Sequence, residues 1–507
     1  MGCRGETAQA AAARDVRRPA GVLAGGPHAG AVGPVRGRGP HCQRRFADLE
    51  FRAQGVALEP PLQAIADFLE THGELVELVH QDLVRGLTRP ATGRPGLTAP
   101  QVLRAFVLQR LKDWDLRELR ARIADGYTLR RFTTFDSHPV PQHDAFHRAF
   151  TTLTPTTVRA LNDAVVQAAL ADGLADGAKL RVDTTVVATD IHFPTESPLL
   201  WDAVRVLTRL VGRVGELRPD APAGFPDRTR RARRRRQEIS RLTPRQRARQ
   251  QRRKYQDLLA VTSEVVAGAR GVVATAQAGS AGDPLAAALV AGLCAEIDSV
   301  CALTDRVLDQ TRRRVLQGEE VPVADKRFSL FEPPTDLIVR GKARTPVEFG
   351  HKVFRAESGR GLITEYRILA GNPADEQHVP PSLAHHVRTF GRPPALYAGD
   401  RGFARPPNEQ ALTAAGVALV CLPQRGGAQT PARAAHEQSR AFKRGQRFRA
   451  GIEGRISVLF RGRGMKRCRL EGRDRFEVFV GLAVLANNLL RIAELRKQPR
   501  IRRQRVA

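Results

Sequence analysis

Aromatic residues make up only 5% of the 507, with two tryptophans and four tyrosines, while the apolar total is 42%, so aliphatic Leu, Val and Ala must do most of the packing. Acidic residues are outnumbered: 52 Asp and Glu stand against 82 Lys and Arg, a formal charge of +30. Such an excess repels itself in a compact fold unless a polyanion shares its surface. Nucleic acid is the first partner to consider, because neutralised phosphates release condensed counterions. An anionic membrane surface and a merely solvated basic exterior are the competing readings. Cysteine is sparse: the six lie at 3, 42, 294, 301, 421 and 468, with no CxxC pair, which argues against a zinc ribbon or a disulfide framework. Cys294 and Cys301, seven apart, suit two buried thiols on one helical face in a reducing compartment. Long hydrophobic runs are also missing. The longest, Val478 to Ala486, falls short of the roughly 20 apolar residues that a spanning helix needs, and the N-terminus has no apolar core of a secretory signal. These absences predict a soluble, cytoplasmic protein with no membrane partner and no small-molecule substrate.

A chain of this length has room for about three domains. Residues 1–57 read as a disordered, basic, low-complexity segment rich in Ala, Gly, Pro and Arg. Residues 58–175 read as helical and form the expected N-terminal DNA-binding domain. Thr98-Ala99-Pro100 is a helix start, and Val102, Leu103, Phe106, Val107 and Leu111 recur at three- and four-residue spacing. Short helices follow from Leu116 to Ala124, which Gly126 stops, and from Leu129. Another runs through Phe146 to Phe150, and Thr154-Pro155 caps a longer one ending near Gly173. Arginines among them, Arg130 and Arg131 included, suit a helix-turn-helix-like DNA reader; a helical bundle with a solvated basic face is the plain alternative.

At Leu180 the period changes. Leu180 to Val187 is rich in β-branched residues and reads as a strand interrupted by Asp183. Residues 196–335 read as a mainly helical insertion, with Arg228 to Lys254 about half basic, Arg233, Arg234, Arg235 and Arg236 unbroken, and Glu238 the only acidic member. Density of like charge favours phosphate contacts there over a solvated linker. Strands resume at Val347 to Phe354 and Gly361 to Leu369, a hairpin turning at Glu357 to Arg360. Ala395 to Gly399 leads into Asp400, a helix at 407–415 leads into a strand at Val417 to Leu422, and two helices close the chain before a basic tail at 496–507. The order describes an α/β mixed sheet, built from 176–195 and 336–495 and split by the insertion.

The acidic residues carry the chemistry. Phosphodiester cleavage asks mainly for positioning and charge, which two Mg²⁺ ions about 3.5–4 Å apart can supply. Such ions prefer hard oxygen ligands without cysteine, projecting from rigid strand ends. Asp183 interrupts an apolar strand, where an unpaired carboxylate is costly to bury. Asp400 ends a short strand between two glycines. Either alone reads more readily as a turn or cap residue; two on different strands of a strongly basic protein point to metal chemistry.

The blocks Leu180-Arg181-Val182-Asp183-Thr184-Thr185, Tyr397-Ala398-Gly399-Asp400-Arg401-Gly402-Phe403 and Arg449-Ala450-Gly451-Ile452-Glu453 resemble those of bacterial insertion-sequence DDE transposases. His192-Phe193-Pro194-Thr195, Leu199 to Asp202, Gly341-Lys342 and Glu348 to Lys352 are similar to an ISNCY-like group outside the major families, and the resemblance covers about residues 60–495. It implies a ribonuclease-H-like core, binding to the terminal inverted repeats and to target DNA, a homodimer on DNA, nucleoid association in a bacterial cell, and cleavage and strand transfer with two Mg²⁺ ions, for which Mn²⁺ can substitute. It assigns Asp183, Asp400 and Glu453 as the catalytic, metal-binding carboxylates. The family's Tyr, Arg, Glu, Lys signature is altered: Gln446 stands at the Tyr position and Phe460 at the Lys position, leaving Arg461 or Lys466 to supply a phosphate contact beside Arg449. Lys342 and Lys352 are further DNA-contact candidates. The alternative is a catalytically inactive, transposase-derived DNA-binding protein. A structural role suits His192, at the strand's exit, and Trp201, on a helix, better than contact with DNA.

Overall fold

The computed structural model describes residues 46–55, 57–89, 96–278, 283–339 and 347–497. The low-complexity start, Lys342 and nearly all of the basic tail lie outside the described residues. Eight helices come first: α1 (Phe46–Ala53), α2 (Pro60–Thr71), α3 (Glu74–Val84), α4 (Ala99–Lys112), α5 (Leu116–Asp125), α6 (Tyr127–Phe132), α7 (His143–Thr152) and α8 (Pro155–Ala171). Three of them start on side-chain caps. The Thr98 hydroxyl accepts from the Gln101 amide while the Gln101 side chain accepts from the Thr98 amide, and Asp115 and Thr154 cap α5 and α8 in the same direction. Each cap satisfies amides that have no partner inside the helix.

The sheet begins with β1 (Lys179–Thr189) and resumes after the insertion with β2 (Asp336–Val339), β3 (Val347–Ser358), β4 (Ile363–Ile368), β5 (Leu396–Ala398), β6 (Leu419–Cys421) and β7 (Arg467–Cys468). These seven strands form one mixed sheet among the described residues, ordered β2-β3-β1-β5-β6. The antiparallel pairing of β1 with β3 runs from Leu180 opposite Ser358 to Ala188 opposite Gly350. The far edge of β3 is shared by β2 and β4, both antiparallel. On its other edge β1 pairs in parallel with β5, and β5 with β6. Helices α13 (Val379–Phe390), α14 (Pro406–Ala414), α15 (Pro431–Gln438), α16 (Arg440–Gly462) and α17 (Arg473–Arg496) complete this part. The fold is a mixed α/β core with flanking helices, preceded by a mostly helical region.

The insertion between β1 and β2 is four helices: α9 (Glu196–Leu217), α10 (Thr229–Ser240), α11 (Pro244–Ala278) and α12 (Pro284–Thr311). They close a core of their own, drawn from Leu199 through Leu330, in which Cys294 and Cys301 are buried free thiols. A second core is continuous from Leu58 in the N-terminal region to Leu495 in α17, with Val187, Val353 and Ile363 of the sheet packed into it. Helix α17 therefore joins the N-terminal helices to the sheet. At Gly481 a Cβ would meet Tyr366 Oη at 2.3 Å and Val158 at 2.4 Å, so only glycine lets the three elements close there.

The expectations of no membrane partner and of a cytoplasmic location are corrected by these helices. Among the described residues three stretches are long and apolar enough to cross a membrane, by length and composition: Pro244–Ala278, Pro284–Gln317 and Arg473–Arg496. The sequence criterion counted only unbroken apolar residues. Gly, Ala, Ser and Thr interrupt such runs at little polar cost, so a continuous helix offers a longer apolar window than the run suggests. The protein covers these windows unequally: 83% of the one in α17 is buried inside the fold, against 50% in α11 and 28% in α12.

Candidate functional site

Strand register brings the first two acids together. Arg181 of β1 lies opposite Ala398 of β5 in parallel pairing, so Asp183 and Asp400, each two residues further on, emerge at the same level of adjacent chain segments. Asp183 Oδ1 accepts from the Thr184 amide at 2.8 Å. Asp400 caps the turn Arg401–Phe403, its Oδ1 accepting from the Gly402 amide at 2.8 Å. Helix α16 brings the third. It lies against β1, β5 and β6, and Gly445 makes the approach possible, since a Cβ there would fall 2.2 Å from Cys421 Sγ. One residue on, Gln446 Nε2 donates to the carbonyls of Cys421 at 2.8 Å and Gly399 at 3.4 Å. The residue at the altered Tyr position thus ties α16 to the ends of β5 and β6, and the next two turns present Arg449 and then Glu453 to the acids.

Asp183, Asp400, Arg449 and Glu453 line one pocket of about 730 Å³, with Glu348, Lys352, Asp375, Arg425 and Phe460 also on its wall. Arg449 is at its centre. Its Nη1 donates to Glu453 Oε1 at 3.1 Å, while Nη2 lies 3.6 Å from Asp400 Oδ2 and 4.0 Å from Asp183 Oδ2. Asp183 is nearly buried, and burial pushes its carboxyl up to about 6; Arg355 and Arg449 oppose the shift and Asp400 adds to it. The Glu453 side chain is 65% exposed and pairs with Arg449. Three carboxylates are the right donors for a hard divalent cation, but their placement does not fit one as it stands. Among the described residues no group of three or more His, Cys, Asp or Glu is placed to hold a metal ion together, and the counter-charge comes from the guanidinium.

Residues 58–152 match the family model Transposase domain (DUF772). The matched segment covers helices α2 to α7 and none of the sheet, so the likeness to a transposase domain lies in the helical region. No curated protein and no solved structure matches the chain.

The other DNA-contact candidates divide by partner. Arg130 donates to the carbonyls of Ala124, Asp136 and His138 and so ties the turn after α6 to itself; Arg131 is half-buried beside it. Lys352 is buried in the pocket, its Nζ 2.8 Å from Asp375 Oδ1 and donating to the Pro373 carbonyl at 2.7 Å. Arg461 and Lys466 are exposed beyond the pocket, where Phe460 of the altered signature forms part of the wall. Arg235 is tied to Asp257 and Glu238, each at 2.6 Å, Arg234 reaches Glu238 at 3.9 Å, Arg233 is exposed and Arg236 half-buried. His192 bonds Asp202 at 2.8 Å, which raises its pKa, and Trp201 packs against the core of the insertion.

Sequence reasoning missed Asp375 and Arg355. Asp375 sits in a turn after β4 and accepts from Thr184 Oγ1 at 2.9 Å; nothing in Asn372-Pro373-Ala374-Asp375 distinguishes it from a turn residue. Arg355 lies directly opposite Asp183 on β3 and is 1% exposed. Burial lowers its pKa, with Glu357 and Asp183 opposing. A signal for it existed: a charge inside the apolar run Val353-Phe354-Arg355-Ala356 meets the same test that singled out Asp183.

Proposed function

We propose that this chain is a transposase-derived protein that binds double-stranded DNA, with its acidic centre closed on Arg449 in the conformation described. The observation that carries the reading is the transposase-domain match over residues 58–152 in a chain of charge +30. A polycation of this size gains affinity for duplex DNA through counterion release, at a strength that falls steeply with salt. The closed centre adds to it, because the Arg449 guanidinium pairs with each of the three acids and offsets part of their charge.

One observation favours a second, catalytic reading. Asp183, Asp400 and Glu453 are 217 and 53 residues apart (400 − 183 and 453 − 400) yet line the same pocket. An antiparallel β1–β3–β4 unit continued by parallel β5 and β6, with acids on β1 and just past β5, supports a ribonuclease-H-like ancestry for the sheet. In this reading the three carboxylates would hold divalent cations once Arg449 withdraws, and such ions supply the charge stabilisation that phosphoryl transfer needs. This chain's own part is to keep two acids on rigid strand ends and a phosphate-binding arginine beside them.

A gel-shift titration of the whole protein with duplex DNA, followed by incubation with Mg²⁺ or Mn²⁺, separates the readings. Salt-sensitive binding without nicking supports the DNA-binding protein. Metal-dependent nicking that Asp183→Asn and Asp400→Asn abolish, with binding intact, replaces it with the DDE enzyme. Absence of any salt-sensitive binding sinks both.

A further inference from the structure

The arginines of the insertion fall into two sets that the sequence does not separate. On the inner side of α10, Arg231 and Arg235 are bonded to Asp257 of α11, and Arg235 and Lys254 converge on Glu238. Just before α10, Arg228 bonds Glu264. Apart from Arg235–Glu238, which lies within α10, these pairs cross between neighbouring segments, and each gives its basic residue an acidic partner on the protein. Arg230 and Arg233 on the outer side of α10, Arg241 just past its end, and Arg245, Arg249 and Arg252 on the first turns of α11 are exposed and make no ion pair among the described residues, as is also true of Arg247 and Arg253. Spacings of three and four residues align Arg230 with Arg233, and Arg245 with Arg249 and Arg252, along single helix faces. Like charges so placed repel one another, and among the described residues no acid lies within ion-pair distance of them.

We propose that this outer face of α10 and α11 is a contact surface for the phosphate backbone of duplex DNA, separate from the carboxylate pocket and without base recognition. It rests on the DNA-binding reading above and names the part of the molecule that carries it. The choice of DNA over a lipid surface follows from what lies between the arginines. A helix that settles on a membrane needs apolar side chains beside its basic ones, but Ala232, Ile239, Leu242 and Tyr255 are all buried, and their exposed neighbours are Ser, Thr, Gln, Pro and a single alanine. With no aromatic side chain on this face to stack on a base and arginine dominating it, the contact is electrostatic and indifferent to sequence.

The test uses the whole protein and a duplex of arbitrary sequence, with affinity measured against salt concentration. Changing the six outer arginines to Gln lowers the slope of log affinity against log salt by about 0.9 for each arginine that meets a phosphate, and weakens binding at least about tenfold at 0.1 M salt. Circular dichroism of this variant matches wild type, since the six positions are exposed. The pair Arg231→Gln and Arg235→Gln lowers the melting temperature and leaves the slope alone. Three outcomes overturn the proposal: an unchanged slope in the six-residue variant, an equal loss of slope in the inner pair, or loss of binding to phosphatidylserine vesicles while DNA binding persists. If wild type binds no duplex at all, the DNA-binding reading falls and takes this one with it; an unchanged slope on intact binding removes this one alone.

Discussion

Asp183 is held in a way that makes its proton measurable. Its pKa in the folded protein is about 6, above the ordinary aspartate value of 3.8, with burial the main cause. Between those two values the folded chain binds more protons at this site than the unfolded chain. Stability from this group is therefore fully present below pH 4 and is lost as pH rises to about 6, by on the order of 2–3 kcal/mol. In the metal-free protein, the difference in unfolding free energy between wild type and Asp183→Asn should move by that amount across this window and stay flat above it, as urea titrations at each pH would report. A difference that does not change with pH would show that the carboxyl is not desolvated. Arg355 provides the second test at this scale. It is the largest influence holding the Asp183 pKa down, so Arg355→Met, which keeps the bulk and removes the charge, should shift the same pH midpoint upward. An unmoved midpoint would mean that Arg355 does not act on Asp183.

Helix α16 owes its position to the absence of a side chain. Gly445 fits against Cys421 with no space for a methyl group, so Gly445→Ala should destabilise the protein by about 1–3 kcal/mol despite the gain in helix propensity. The same change should weaken any property that depends on Arg449 and Glu453, one and two turns further on, and an unchanged melting temperature would contradict this account. Elements with a strong local cause were legible in the sequence: β1 from its β-branched run, the β3–β4 hairpin from its turn, α4 and α8 from their caps. The four-residue β2 was not, because only its ladder with β3 makes it a strand, and α13 was passed over between two readable strands. The acids Asp183 and Asp400 were legible because a charge in an apolar strand demands an explanation. The destination of an arginine was not legible, because it depends on partners that local sequence does not identify. Arg130 turns inward onto carbonyls, and Arg235 onto an acid 22 residues away on another helix (257 − 235).

The two largest of the cores among the described residues should come apart unequally. The insertion packs on itself from Leu199 to Leu330, so a fragment spanning 196–335 should keep helical circular dichroism and melt cooperatively. A fragment spanning 58–175 should not, because its apolar residues are completed by α17 and the sheet; a cooperative melt from this fragment alone would refute the shared core. The shared core also sets a timetable. During synthesis α8 ends at Ala171 and α17 begins at Arg473, 302 residues later (473 − 171). At about 5–20 residues per second this leaves the N-terminal helices roughly 15–60 s on the ribosome without the helix that covers them. Their apolar faces stay uncovered for that interval, so a newly made chain depends on chaperones far more than the finished protein does, and production should suffer most when chaperone capacity is short.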